Sequence, residues 1–179
     1  MPGWSNALAA KLVSLLMPGV PDVYQGSELW EQSLVDPDNR RFVDFDARAA
    51  LLDSLDGAAV SLTGRPEDPG TAKLAATRAA LTLRREHPKL FTTYAPVEVS
   101  GPAADHALAF DRGGAVSVAT RLPVGLAAEG GWGSSVLDVP PGRWRDVITG
   151  VVLTSSADGL PVSEVLGSLP VALLVKEER

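Results

Sequence analysis

The groups in this chain that could carry chemistry concentrate between Ser27 and Asp46. Glu28, Glu31, Asp36, Asp38, Asp44 and Asp46 stand there beside Arg40 and Arg41, with Tyr24, Trp30 and Phe42 interleaved. Paired carboxylates are the machinery of glycoside chemistry, one acting as general acid and the other as nucleophile or base. Aromatic faces beside charged hydrogen-bonding groups suit a polyhydroxylated ring. The same composition also describes a solvated loop in which Arg40 and Arg41 pair with Asp36, Asp38 or Asp44 to hold its shape. A structureless loop of this length in a compact protein is usually functional.

Other motifs offer less. His87 precedes Pro88 at the end of a helical pattern, where it suits a capping role, and His106 reads as a strand-edge residue. Neither has the neighbours of a metal site. Ser27 lies outside a Gly-x-Ser-x-Gly elbow, and no phosphate-binding glycine motif follows a strand pattern. No cofactor or metal is therefore expected. Trp132 and Trp144 could line a sugar-binding face, but tryptophans in a β domain more often fill its interior.

The elements that would position these groups divide the chain in two. Leu8, Leu12, Leu15 and Leu16 recur at helical spacing, with Ser5 as candidate cap and Pro18 as stop. Residues 18–26 read as a short buried strand between turn residues. Asp46 can cap a second helix with Leu51, Leu52 and Leu55 inward and Gly57 as its end. Residues 64–70 read as a connector. A third helix runs from Thr71 to about His87, with Ala72, Ala76, Ala79 and Leu83 at helical spacing and Arg84 and Arg85 near its negative end. After Tyr94 short β-branched runs take over, at residues 107–111, 115–121, 136–139, 144–149, 151–154 and 171–175, separated by glycine and proline turns. The expected fold is thus α+β, with a helix-rich part over residues 1–94 and an all-β antiparallel sandwich over 95–179.

The chain has 179 residues, too few for a complete (β/α)8 barrel, which needs at least roughly 200. Its net charge of −6 has the wrong sign for nucleic acid or anionic lipid. With no cysteine it has neither disulfides nor thiolate chemistry. The apolar run from Leu12 to Met17 is far short of a membrane span, and no signal-peptide pattern is visible. A cytoplasmic location is expected.

Pro18-Gly19-Val20-Pro21-Asp22-Val23-Tyr24-Gln25-Gly26-Ser27-Glu28-Leu29-Trp30, followed by Asp36-Pro37-Asp38-Asn39-Arg40-Arg41, resembles the eighth barrel strand and its loop in the α-amylase superfamily (glycoside hydrolase family 13). Within it the chain is most similar to the maltooligosyl trehalose synthase family. Leu83-Arg84-Arg85-Glu86-His87-Pro88-Lys89-Leu90-Phe91, Ala119-Thr120-Arg121-Leu122-Pro123 and Pro140-Pro141-Gly142-Arg143-Trp144-Arg145-Asp146 resemble that family's closing helix and C-terminal β domain. Gly131-Trp132-Gly133 adds to the match.

The resemblance implies an isomerase that turns the reducing-end α-1,4 bond of a maltooligosaccharide into an α,α-1,1 bond through a retaining mechanism. The family's aspartate nucleophile, glutamate acid/base and second aspartate lie on barrel strands four, five and seven, to which nothing here corresponds. The chain then reads as a C-terminal fragment, inactive by itself, with residues 1–94 closing the barrel. In that reading Tyr24, Gln25, Glu28, Asp36, Asp38, Asn39, Arg40 and Arg41 shape the site and contact the maltooligosaccharide without breaking bonds. Residues 1–60, stripped of their barrel neighbours, would expose apolar faces and invite self-association. A non-catalytic α-glucan-binding or scaffolding module, binding through the β half, is the alternative.

Overall fold

The computed structural model describes residues 2–31, 40–56, 60, 68 and 70–177. Helix α1 spans Pro2–Leu16 and turns Leu8, Leu12, Leu15 and Leu16 inward, each fully buried. Pro2 occupies the first helical position, where its missing N–H costs nothing. The helix therefore starts before Ser5, which is no cap: it lies buried within the helix, its Oγ without a hydrogen-bond partner among the described residues.

Residues 18–26 form no strand, contrary to the expectation from their apolar run. A parallel strand exists only by exchanging hydrogen bonds with neighbours. No described segment pairs with this one, and Val20 is 97% exposed.

Helix α2 (Phe45–Ser54) is capped by Asp44 instead of Asp46: the Asp44 backbone is extended and its Oδ1 accepts from the Ala47 N–H at 2.9 Å. Asp46 sits in the first turn, where its charge still favours the helix dipole. Leu55 is buried and Leu51 half-buried, whereas Leu52 faces solvent; the expected stop at Gly57 lies outside the described residues. Helix α3 (Thr71–Glu86) matches its expected span. It buries Ala72, Ala76, Ala80 and Leu83 against α1, and His87 follows as its C-terminal cap.

Among the described residues nine short strands follow. Six make one antiparallel sheet in the order β1 (Ala95–Pro96), β3 (Ala107–Asp111), β4 (Ala115–Thr120), β9 (Val171–Lys176), β6 (Gly142–Asp146) and β7 (Val152–Ser155). β2 (Val99–Ser100), β5 (Val136–Leu137) and β8 (Leu160–Pro161) make a second. β6 ends three residues earlier than the sequence suggests. The Asp146 carboxylate accepts from the Ile148 N–H and its carbonyl from the Gly150 N–H, which bends the chain into a turn.

The sheet's two faces alternate as a strand period requires. Phe110, Ala115, Ala119, Val171 and Leu173 share a core with α1 and α3. Val116, Val118, Ala172 and Leu174 point the other way, into a core with Leu137, Leu160 and α5 (Val162–Val165). β4 and β9 are thus sandwiched between helices and the smaller sheet, and every residue of β4 is buried.

Trp144 fills the second core, 4% exposed, with its Nε1–H donated to the Pro140 carbonyl at 3.0 Å. It offers no ring to a sugar, and Trp132 packs half-buried against the same core. His106 is buried, not at a strand edge, because α4 (Pro123–Ala128) lies against it: a Cβ on Gly125 would stand 2.9 Å from its Cε1, and its Nε2 lies 3.1 Å from Glu129 Oε2. No helix among the described residues is long and apolar enough to cross a membrane.

Candidate functional site

The segment from Val23 to Glu31 is held by side chains of α1, α2 and α3. From α1, the Lys11 ammonium donates to Ser27 Oγ at 3.2 Å, and Trp4 stacks on Trp30 with ring centroids 5.7 Å apart and planes 11° off parallel. From α2, Arg48 donates through Nε to Glu28 Oε1 at 2.5 Å and through Nη2 to the Gly26 carbonyl at 3.4 Å. From α3, the Lys73 ammonium donates to the Leu29 carbonyl at 2.8 Å and sits 5.8 Å from the centre of the Trp30 ring, within reach of its negative face.

Gly70, which precedes α3, has φ +109°, a left-handed conformation natural to glycine. A Cβ there would stand 2.7 Å from the Trp30 amide nitrogen. The loop backbone can approach α3 this closely only because the side chain is absent.

Burial lowers the pKa of both lysine ammoniums from the usual 10.5. For Lys11, Glu28 and then Asp22 oppose that effect. For Lys73 the Lys11 charge adds to burial, while Glu28 and Glu31 work against it. Acidic neighbours thus hold two cations side by side under the loop.

The residues singled out from sequence are distributed as follows. Gln25 and Arg41 come together around an open depression of about 420 Å³, with Phe42, Asp44 and Asp46 on its wall. Tyr24 is 51% exposed nearby in the chain. Glu28 turns to Arg48 on α2, and Arg40 lies at the exposed start of the segment leading into that helix. Asp36, Asp38 and Asn39 lie outside the described residues. Sequence reasoning missed Arg48, Lys11, Lys73 and Trp4. The one signal available was Lys11 itself, a charge inside an otherwise leucine-lined helix.

Amide, guanidinium and carboxylate groups beside exposed aromatic rings are of the chemical kind that suits sugar hydroxyls and ring faces. Among the described residues no group of three or more metal-ligating side chains converges.

The fold has counterparts among proteins of known structure. The chain superposes on the maltooligosyltrehalose synthase of Arthrobacter ramosus with a TM-score of 0.88 and 51% identity, over 98% of this chain and 22% of that one. A structure titled DSM5389 glycosyltrehalose synthase follows at 26% identity and a TM-score of 0.68, covering 98% of this chain and 21% of that one. No protein-family profile matches the chain. Maltooligosyl trehalose synthases of two Mycobacterium tuberculosis strains are 47% identical to it over 176 residues, 97% of this chain. The chain is a homologue of part of maltooligosyl trehalose synthase, and it spans about a fifth of the length of these relatives, 21%.

Proposed function

We propose that the chain is the C-terminal part of a (1→4)-α-D-glucan 1-α-D-glucosylmutase of the α-amylase superfamily, a cytoplasmic enzyme of trehalose biosynthesis. Residues 1–94 complete a (β/α)8 barrel, and the β-rich remainder forms a sandwich domain behind it. The observation that carries this reading is the match of nearly the whole chain to a maltooligosyltrehalose synthase at 51% identity. In this reading the nucleophile and acid/base come from the remainder of the enzyme. Tyr24, Gln25, Glu28, Arg40 and Arg41 line the mouth of the site and hold the maltooligosaccharide.

Incubation with maltopentaose tests it. The longest natural form of the protein is expected to consume reducing ends without releasing an equivalent amount of glucose, and residues 1–179 alone to leave reducing ends unchanged. No conversion by the long form overturns the enzymatic reading; product from the isolated chain overturns its inactivity.

The barrel-closing role has a second consequence. Met17, Val20, Phe42 and Phe45 are 47%, 97%, 92% and 58% exposed on the segments that would meet the rest of the barrel. Apolar groups in such number invite association. The isolated chain is expected to grow in apparent mass with concentration in light scattering, and Val20→Lys combined with Phe42→Ser to return it towards a monomer. A clean monomer of the unaltered chain at every concentration would contradict this.

A further inference from the structure

We propose that Lys73 is a positioning residue for substrate binding: its ammonium grips the Leu29 carbonyl and so fixes Glu28 and Trp30 on either side of it. The inference rests on the glucan-binding reading above and assigns a role within that site to a residue of α3 that need not touch the sugar.

The geometry is specific. Leu29 is buried. On one side of it Glu28 is drawn towards α2 by Arg48 at 2.5 Å. On the other, Trp30 is drawn towards α1 by stacking on Trp4 at 5.7 Å. These two contacts engage the residues on either side of Leu29, and the Leu29 carbonyl between them is held by the 2.8 Å bond from Lys73. The same ammonium lies against the Trp30 ring, so one cation restrains both the backbone and the aromatic side chain. Gly70, one helical turn earlier, lets the Trp30 amide sit against α3 and keeps the carbonyl within reach. Losing the ammonium frees the peptide to rotate. Glu28 and Trp30 then leave the orientations set by Arg48 and Trp4, and part of the binding free energy goes into re-ordering the loop.

The test uses the longest natural form of the protein and maltopentaose. Lys73→Met is expected to raise KM about tenfold while kcat stays within about twofold, the pattern of lost ground-state positioning. Lys73→Arg, which keeps both the donor and the cation over the ring, is expected to restore KM to near the original. If Lys73→Met does not fold, Lys73→Gln against Lys73→Arg makes the same comparison, with KM raised only in the former. A lysine with a merely structural role would lower Tm and leave KM unmoved, and that result overturns the proposal. If the unaltered protein converts no maltopentaose, the functional reading fails and the proposal falls with it. An active unaltered enzyme with KM unchanged in Lys73→Met or Lys73→Gln defeats the positioning role alone.

Discussion

Replacing Arg112 by methionine is expected to destabilise the chain by about 3–5 kcal/mol, among the largest effects a single substitution can have here. The residue is 6% exposed and its guanidinium is spent on three backbone carbonyls. Nε donates to Thr93 at 2.6 Å, Nη2 to Phe91 at 2.8 Å and Nη1 to Leu16. Leu16 ends α1, where the last carbonyls of a helix lack intrahelical partners and carry the negative end of the dipole. Arg112 itself leads into the β3–β4 turn. One side chain thus ties the first helix and the 3-10 segment Pro88–Phe91 to the sheet. Burial, and then the charge of Arg84, lower its pKa below the usual arginine value, yet a guanidinium stays charged at any working pH. Methionine would fill much of the volume and leave three carbonyls without their donors. Lysine would recover only part of the loss, since one ammonium cannot reach three oxygens spread over a planar fork. Denaturant unfolding followed by circular dichroism gives the comparison. A loss under about 1 kcal/mol for methionine would mean that water replaces the fork.

Arg112 also illustrates what the sequence conceals. Helix α3 was legible almost to the residue because alanines and Leu83 recur at helical spacing, and β3, β4 and β9 because β-branched and small apolar residues alternate between turns. Elements defined by their neighbours were not. The run from Val20 to Tyr24 has strand composition without a strand to pair with, and Asp146 ends β6 through a side-chain contact that no periodicity encodes. Within the site, Gln25 and Arg41 were picked out and do share a depression. Glu28 was given no partner from sequence, and its arginine stands 20 positions along, on α2. A lone arginine on a short, polar helix looks like a solvated face, so nothing local to Arg48 signals the pair. Lys73 is hidden in the same way, its meaning set by a carbonyl 44 residues earlier.

Asp146→Ala is expected to cost about 2–4 kcal/mol near pH 4, and the pH dependence of the loss identifies its cause. The carboxyl is 4% exposed. Oδ1 accepts from the Ile148 N–H at 3.1 Å and the Leu173 N–H at 3.0 Å, and Oδ2 from the Thr149 hydroxyl at 2.5 Å. It therefore closes the β6–β7 turn and pins that turn to β9. Alanine leaves two buried amides unpaired. Burial raises the pKa above the usual 3.8, and the bonds from Thr149, Leu173 and Ile148 only partly offset it. Between 3.8 and the raised value the folded chain keeps a proton that the unfolded chain has released. Stability therefore falls as pH rises through that window and levels off above it. This is opposite to a carboxylate held by a salt bridge, whose contribution grows with pH. Asp146→Asn keeps an acceptor for both amides and removes the titration. The stability of the unaltered chain minus that of Asp146→Asn should be greatest at or below pH 3.8 and decline as pH rises above it. Measured by urea titration across acid pH, a difference that rises instead would show the carboxylate's hydrogen bonds prevailing over the cost of burying its charge.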